Sequence, residues 1–273
     1  MRKLLIPAVI AIAALYGCGG KTPAPTSPSA SVGQFRVLMT DAPAAVQAVN
    51  VDVVSVLAHH AGAADNLGWD VLNATPQAVD LLSLQNGAFL ALANGSVSSG
   101  SYDGLRLVLG NDNTITVDGV TSPLTVPSGA ESGLKLQGSF SVPAGGVLAL
   151  QLDFDAGQSL QQNGGGSWFL RPVLRGLAAA DAGAISGTVA PPGWVSGVDV
   201  LRNGTTITSV VPGASGVFVA SVLPAGTYDV VVHGAAGDRS FPGVIVTAGS
   251  TTSLGVIDFS AGSGDGGGTQ IID

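Results

Sequence analysis

Five aspartates are the residues of this chain whose types and spacing could support chemistry. Asp153 and Asp155 stand two apart in an alternating apolar run, so their side chains point to the same face of one strand. Asp41, Asp52 and Asp80 lie beside or within other apolar segments and could approach that pair across a β-sandwich. Converging carboxylates suit a calcium ion, or a general acid and base.

The alternation around Asp153 and Asp155 also has a simpler interpretation. The outer face of an antiparallel strand needs charged residues for solubility and for protection of the sheet edge. Asp41 likewise suits a turn, where its carboxylate would cap a backbone N–H ahead of Pro43. We therefore predict that the aspartates solvate a strand face, and we expect no metal, no catalytic residue and no cofactor.

Histidine, serine and glycine motifs indicate no recognisable reaction. His59 and His60 are adjacent, so on a strand they point to opposite faces and cannot share one ion. His233 stands at the end of an apolar run and is expected at the surface. The sequence has no Gly-x-Ser-x-Gly elbow. A Gly-x-Gly-x-x-Gly match within residues 262–267 follows the last expected strand with no helix behind it, which favours a flexible tail.

Three tryptophans offer a route to carbohydrate binding, because an exposed indole can stack on a sugar ring. Trp194 lies in an expected loop between Gly193 and Ser196 and should be the most exposed of them. The alternative for Trp194, and for Trp69 and Trp168, is that they fill the core, since aromatic residues make up only 5% of the chain.

The composition favours an all-β protein and excludes some partners. The 273 residues are 46% hydrophobic and 10% charged, and they include 40 glycines and 15 prolines, which suits many short strands joined by tight turns. The formal charge of −8 would repel phosphate backbones, so nucleic acid is not an expected partner.

Several local patterns predict particular strands and turns. Asp118-Gly119 and Asn203-Gly204 each indicate a two-residue hairpin of type I′. The phase of the valines changes within 49–57, which predicts a bulge or a strand buried on both faces. Only the segment 81–93 leaves a helical turn open.

The N-terminus has the layout of a secretory signal. A basic start at residues 2–3 precedes an apolar run at 4–15 that is too short to span a bilayer. Leu15-Tyr16-Gly17-Cys18 resembles the lipobox of bacterial lipoproteins, although Tyr16 is bulkier than is usual there. This resemblance implies cleavage before Cys18, which is the only cysteine, and lipid attachment at its thiol. Gly19, rather than an aspartate, implies sorting to the outer membrane by resemblance to Gram-negative lipoproteins.

A set of separated motifs resembles the exported prokaryotic family known as domain of unknown function 4382, whose members typically sit in lipoproteins. The family brings no established activity. The motifs are Thr40-Asp41-Ala42-Pro43, Gly68-Trp69, Val79-Asp80-Leu81-Leu82, Gln85-Asn86-Gly87, Gly104-Leu105-Arg106-Leu107-Val108-Leu109 and Leu152-Asp153-Phe154-Asp155-Ala156.

A second set of motifs is similar to carboxypeptidase regulatory-like domains, which implies a transthyretin-like, or prealbumin-like, β-sandwich acting as an accessory module. The motifs consist mostly of turn residues, so they bear on fold more than on function. They are Ile185-Ser186-Gly187-Thr188-Val189, Gly216-Val217-Phe218, Leu223-Pro224-Ala225-Gly226-Thr227-Tyr228 and Val244-Ile245-Val246-Thr247-Ala248-Gly249.

Together these features predict two tandem β-sandwich domains behind a lipid anchor. The expected organisation is a signal peptide at 1–17, a lipidated Cys18 with a Pro/Ser-rich tether at 18–31, a first sandwich at 32–178, a second sandwich at 183–259 and a flexible tail at 260–273. The Pro-rich tether would be extended and semi-rigid.

The function expected from the sequence is a non-catalytic, lipid-anchored envelope protein. Its partners would be the membrane, through the lipid, and a glycan or an envelope protein, with contacts at Trp194 or at Asp41, Asp80, Asp153 and Asp155. One alternative is a metal-dependent or hydrolytic enzyme that uses the aspartates. Another is a structural subunit of a surface assembly that pairs through sheet edges.

Overall fold

The computed structural model describes residues 31–127 and 133–260. The signal peptide, Cys18, nearly all of the tether and the tail from residue 261 lie outside the described residues. Within them the first part of the chain contains β1 (Val32–Ala42), β2 (Ala48–His60), β3 (Trp69–Asn73), β4 (Gln77–Asp80), β5 (Leu90–Ser98), β6 (Gly100–Leu109), β7 (Thr114–Val117), β8 (Val120–Thr125), β9 (Leu134–Val142), β10 (Val147–Asp155), β11 (Leu160–Gln162), β12 (Trp168–Leu170) and β13 (Leu174–Ala178).

The second part contains β14 (Ala182–Ala190), β15 (Val195–Arg202), β16 (Thr205–Val210), β17 (Val217–Pro224), β18 (Gly226–Gly234), β19 (Arg239–Val246) and β20 (Thr251–Asp258). Two single helical turns complete the described residues: a 3₁₀ helix at Leu81–Leu84 and α1 at Ala156–Ser159. The all-β prediction is confirmed, and the sheets form sandwich-like layers. No helix in the described ranges has the length and apolar character needed to cross a membrane.

The first part of the chain packs two sheets around one core. Four strands in the order β13-β10-β1-β5 form one described sheet; the other runs β11-β12-β8-β7-β2-β6-β9, with β3 and β4 paired to β2. β1 and β10 are parallel neighbours in the middle of the smaller sheet. The even positions of β10, from Leu148 to Phe154, point into the core as their alternation predicts.

The second part of the chain has a separate core between two smaller sheets. These have the strand orders β17-β14-β20 and β16-β15-β18-β19. Seven described strands, β14 to β20, make up these two sheets. Phe218 and Tyr228 are the large aromatic residues at the centre of this core, and the Tyr228 hydroxyl donates to the Pro224 carbonyl oxygen at 2.7 Å.

The two predicted hairpins form as their residue types require. Asp118 and Gly119 have φ values of 50° and 75° between β7 and β8. Asn203 and Gly204 have φ values of 53° and 76° between β15 and β16. Positive φ at both central residues defines the type I′ turn, which matches the twist of the strands it joins.

The predicted irregularities also have counterparts in the structure. A register shift between Val53 and Ser55 in the pairing of β2 with β6 is the bulge expected from the valine phase. The segment 81–93 is helical only at Leu81–Leu84, where Asp80 caps the turn, and it continues into β5. The helix ends after one turn because the following Asn86 and Gly87 both take positive φ and change the direction of the chain.

The outer face of the β13-β10-β1-β5 sheet is where the sequence prediction is wrong. Asp153 and Asp155 were expected to face solvent, but only 3% and 8% of their surfaces are exposed. The second sandwich covers Asp153: Thr208, a buried residue of β16, lies beside its carboxylate. α1, capped by Asp155 itself, encloses that carboxylate. This face of β10, which is charged but buried, was therefore wrongly predicted from the sequence to be exposed to solvent.

Candidate functional site

Asp41 lies near the end of β1, beside Phe154 of the parallel strand β10. Its Oδ1 accepts a hydrogen bond from the Ala156 backbone N–H at 3.0 Å. Its Oδ2 is buried and has no hydrogen-bond partner among the residues that the structure describes. Only 4% of Asp41 is exposed. The sequence predicted that Asp41 caps a turn ahead of Pro43. Its carboxylate instead caps the start of α1, 115 residues further along the chain.

Burial raises the pKa of Asp41 to about 9. The hydrogen bond from Ala156 opposes this shift, whereas the negative charges of Asp153, Asp155 and Asp80 add to it. The carboxyl is therefore protonated and neutral near pH 7. The structure thus brings together the four aspartates that the sequence analysis singled out as a possible contact site, close enough to influence one another.

Each of the other three aspartates has a structural task. Asp155 caps α1: its Oδ1 accepts from the Gln158 backbone N–H at 2.9 Å and its Oδ2 from the Gln158 side chain at 2.6 Å. Asp80 is exposed and caps the 3₁₀ helix through a bond from the Leu82 N–H at 3.2 Å. Asp153 pairs with the guanidinium of Arg175 from β13. Burial raises the pKa of Asp153, and the charge of Arg175 opposes that rise.

This arrangement does not form a metal centre. In the ranges 31–127 and 133–260, no group of three or more histidine, cysteine, aspartate or glutamate side chains is placed to hold an ion. The fifth aspartate, Asp52, lies in β2 of the opposite sheet. Because the carboxylate oxygens of Asp153 and Asp155 already accept from Arg175 and Gln158, few are free for calcium, which takes six to eight oxygen ligands.

The tryptophans separate as the sequence suggested. Trp194 precedes β15 and is 45% exposed, and its carbonyl oxygen accepts from the Ala235 N–H at 2.9 Å. Trp168 packs against the first core. Trp69 is half-buried, with the Arg106 guanidinium 4.0 Å from its ring centroid and the His59 ring 4.7 Å from it. Trp194 is thus the exposed member of the three.

His59 and His60 point to opposite faces of the sheet, as predicted. His59 is buried and its Nδ1 lies 2.6 Å from Asp103 Oδ1. The His60 ring lies 4.4 Å from the ring of Tyr102, and its Nε2 is 3.0 Å from Asp70 Oδ2. His233, expected at the surface, is partly covered and stands between Asp199 and Asp238.

Sequence reasoning missed the cleft that forms around His59. This cleft has a volume of about 120 Å³ and is lined in part by His59, Asp65, Trp69, Asp103, Lys135 and Gln137. Its parts come from β2, β3, β6, β9 and the turn after β2. The register that aligns His59 with Gly104 places Asp103 beside the imidazole, 44 residues away in sequence. No spacing within the sequence signals that pairing.

The family model described as a domain of unknown function, DUF4382, matches residues 32–172. The chain belongs to the DUF4382 family. In this DUF4382 protein the match runs from β1 through β12 and includes Asp41, Asp153, Asp155 and the cleft around His59. It stops before Arg175. The resemblance stated for the first sandwich is confirmed, whereas the carboxypeptidase regulatory-like resemblance of the second sandwich stays a prediction. No curated protein matches the chain.

Three solved structures align with this DUF4382 protein over most of its length. They are the Bacillus anthracis TIE protein (12% identity, 84% of this chain and 34% of that one, TM-score 0.22), the minor pilin GBS52 of Streptococcus agalactiae (9%, 82% and 94%, 0.22) and a fimbrial protein from Bacteroides ovatus (9%, 84% and 50%, 0.25). The chain thus spans about a third of the Bacillus anthracis protein. At these TM-scores the likeness supports no conclusion about function.

The neutral state of Asp41 predicts how stability depends on pH. Because the folded-state pKa of about 9 lies above the ordinary 3.8, the unfolded chain releases the proton first. The contribution of Asp41 to the free energy of unfolding is therefore complete below about pH 4 and is lost as the pH rises through about 9, by at most about 1.4 kcal/mol per pH unit. Asp41→Asn, which keeps an acceptor for Ala156, should remove this loss and be more stable than the wild type at pH 8.

Urea denaturation at pH 5, 6.5 and 8 measures the effect. Asp118→Asn is the matched control, since Asp118 is exposed in a hairpin turn. Its φ is positive, and asparagine tolerates this conformation. The prediction is wrong if Asp41→Asn and the wild type lose stability in parallel over this range.

Proposed function

We propose that this protein is a non-catalytic, lipid-anchored envelope protein whose two sandwiches form one rigid spacer. The observation that carries the proposal is the polar joint between them, defined here as Asp153, Arg175, Thr208, Asn86 and the Val211 carbonyl. Of the aspartates that could have supported chemistry, Asp153 belongs to this joint, whereas Asp41, Asp80 and Asp155 cap helical turns. A rigid spacer holds a binding surface at a fixed distance from its anchor.

The joint has contacts at two places. Asp153 of β10 accepts from Arg175 of β13 within the first sandwich, and Thr208 of the second sandwich lies beside its carboxylate. On a separate loop, the Asn86 side-chain amide donates to the Val211 carbonyl oxygen at 2.9 Å. The neighbouring Gly87 lies so close to Val219 that an added Cβ would be 3.2 Å from its side chain. Two separated contacts resist rotation better than one.

The connection between the sandwiches is also short and hydrogen-bonded. β13 ends at Ala178 and β14 begins at Ala182. Within this turn the Ala179 N–H donates to the Ala149 carbonyl oxygen and the Asp181 N–H to that of Ala178, each at 2.8 Å. Linkers that allow domain motion are exposed and cross few contacts. This connection has the opposite character, which supports a rigid spacer.

The cleft around His59 does not favour an enzyme. Its described lining contains no serine, threonine or cysteine that His59 could activate as a nucleophile. Both ring nitrogens of His59 already face acceptors, Asp103 and the Ala64 carbonyl oxygen. A general base needs a free nitrogen lone pair, so this histidine is arranged for holding structure.

Two of the four outer strands described in the second sandwich give little support to assembly through strand pairing. β19 is an outer strand that carries Pro242, which lacks an N–H. β20, outer in the other sheet, is interrupted where Gly255 takes a φ of 69° and the pairing with β14 shifts register. Proline and bulges are features by which proteins protect edges from pairing.

Anchoring rests on the sequence alone, because Cys18 lies outside the described residues. A bacterial lipoprotein carries several acyl chains, and more than one chain is needed for stable attachment. With the sorting residue Gly19, we assign the protein to the outer membrane. The tether at 19–31 would then separate the lipid from β1.

The rigid spacer predicts one narrow distance between the sandwiches. Cys18→Ser removes the only cysteine, so Val120→Cys and Ile245→Cys, both highly exposed, can be spin-labelled in the otherwise full chain. Double electron–electron resonance should give a single narrow distribution. Arg175→Met should broaden it, because Asp153 loses its counter-charge, whereas Arg171→Met, at an exposed position nearby, should not. A broad distribution in the chain with Arg175 intact would refute the spacer.

Membrane attachment should depend on the Cys18 thiol. The wild-type protein should sediment with outer membranes, and the Cys18→Ser variant should move to the soluble fraction because the lipid supplies the attachment. Fractionation followed by immunoblotting measures this. Full retention of the variant in the membrane fraction would rule out the lipid anchor.

Glycan binding is a second candidate function, supported by the 45% exposure of Trp194. The same sheet carries Ser196, Asp199 and His233 at positions that face away from the core, so polar groups accompany the indole. Trp194 is held at the rim of this sheet by its bond from Ala235. Aromatic and polar groups presented together are suited to sugar rings.

Screening the full chain against an array of bacterial envelope glycans tests this candidate. Trp194→Ala should weaken binding to any positive glycan about tenfold or more, which corresponds to about 1.4 kcal/mol. Val256→Ala, at another exposed apolar side chain of the second sandwich, is the matched control. Absence of binding on the array, or equal binding by Trp194→Ala, would remove Trp194 as a glycan contact.

A further inference from the structure

His59 holds the turn that follows its own strand. Its Nδ1 lies 2.6 Å from Asp103 Oδ1 in β6, and its Nε2 lies 3.3 Å from the carbonyl oxygen of Ala64 in that turn. The other carboxylate oxygen of Asp103 accepts from the Gly62 N–H at 3.2 Å. His59 and Asp103 therefore tie the turn at residues 61–68 to the sheet at two places.

Both atoms that face the imidazole are acceptors, and this favours its charged form. A neutral imidazole has one N–H, whereas the imidazolium has two. Only protonated His59 can donate to Asp103 and to Ala64 at the same time. The hydrogen bond with Asp103 raises the pKa of His59 above its usual 6.5, against an opposing effect of burial, and the same bond lowers the pKa of Asp103.

The charged groups that line the cleft around His59 lie on β6, on β9 and on the turn at residues 61–68. Asp103 on β6 and Asp65 on the turn favour the imidazolium, whereas Lys135 on β9 lines the same cleft and opposes it. Arg106 on β6 lies over the Trp69 ring, whose other neighbour is His59.

The opposite face of β2 has its own pair and does not contribute a charge to the cleft. His60 pairs there with Asp70 of β3. Asp103 is thus the carboxylate in direct contact with His59, and it also holds the turn.

The turn forms one wall of the cleft. Ala63 and Asp65 line it, and the Trp69 indole N–H donates to the Asp65 carbonyl oxygen at 2.8 Å. The exposed apolar side chain of Leu67 lies on the same turn. If the turn is released, the wall moves and Trp69 loses its partner, so access to the cleft changes with it.

We propose that His59 and Asp103 form a proton-operated clamp on the turn at residues 61–68, which holds one wall of the cleft at Gly62 and at Ala64 when His59 is charged and loosens that wall, by loss of the Ala64 contact, when His59 is neutral. The folded-state pKa of His59 is raised, so the clamp is complete below about pH 6.5 and is lost as the pH rises through the raised value. The wall of the cleft would be less firmly held on the alkaline side of this titration.

Solution NMR on the folded chain with Cys18→Ser tests the clamp. The His59 ring shifts should titrate above pH 6.5. The protection of the Gly62 amide against hydrogen exchange, corrected for the intrinsic dependence on pH, should fall about tenfold or more through the same titration. His59→Gln is neutral at every pH, so its turn should be poorly protected throughout. Asp103→Asn should lower the His59 pKa and the protection of Gly62.

His233→Gln is the matched control, because His233 also contacts aspartates but lies in the second sandwich. It should leave the pH profile of Gly62 unchanged. The pH dependence of Gly62 protection in the chain with His59 and Asp103 intact tests the proposal even if a variant unfolds. Protection of Gly62 that does not vary between pH 5 and pH 9, or a His59 that titrates at or below its usual value, would overturn the proposal.

Discussion

The buried pair of Asp153 and Arg175, within one sheet of the first sandwich, is the constraint that the packing of the second sandwich has to satisfy. A buried carboxylate is costly unless it is paired and hydrogen-bonded. Only 4% of the Asp153 side chain is accessible, and Arg175, with 27% accessible, supplies the opposite charge. Thr208 of the second sandwich lies beside this pair and helps to cover it. The second sandwich therefore packs over a buried ion pair of the first.

The parallel pairing of β1 with β10 explains why several carboxylates gather beside that contact. Parallel register aligns Thr40, Asp41 and Ala42 with Asp153, Phe154 and Asp155. Both strands thus deliver their acidic residues to the same end of the sheet. The resulting repulsion is relieved in different ways: Arg175 neutralises Asp153, α1 solvates Asp155 with backbone and side-chain donors, and Asp41 keeps its proton. Structural demand accounts for the whole cluster.

Local sequence information was sufficient for much of this fold. The alternation of β10 correctly predicted its core face, and the residue pairs Asp118-Gly119 and Asn203-Gly204 predicted their turns, because both signals reside within a few residues. The outer face of β10 could not be assigned in this way. Whether an aspartate faces water or another layer depends on what packs above it, and Thr208 lies far along the chain from Asp153.

Some features of the candidate sites could likewise be predicted from local sequence, whereas others depend on residues that are distant in the chain. The convergence of Asp41 with Asp153 and Asp155 was expected as one possibility, since all three end apolar runs. The exposure of Trp194 followed from its glycine and proline neighbours. The His59–Asp103 pair depends on the register between β2 and β6, and that register includes shifts near Val53 and His59. A shift of one residue would turn Asp103 to the other face.

The family match ends before the strand that carries the counter-charge of Asp153. The DUF4382 match ends at residue 172, and Arg175 stands just beyond it, on the strand that leads into the second sandwich. A recombination event that exchanged everything after the family domain would therefore also remove the guanidinium beside Asp153. The resulting protein would then have an unpaired Asp153 carboxylate on the face that contacts the second module. Such exchanges should succeed only when the incoming module brings its own cation or when the position of Asp153 mutates to a neutral residue, so domain shuffling and the residue at this position are expected to evolve together.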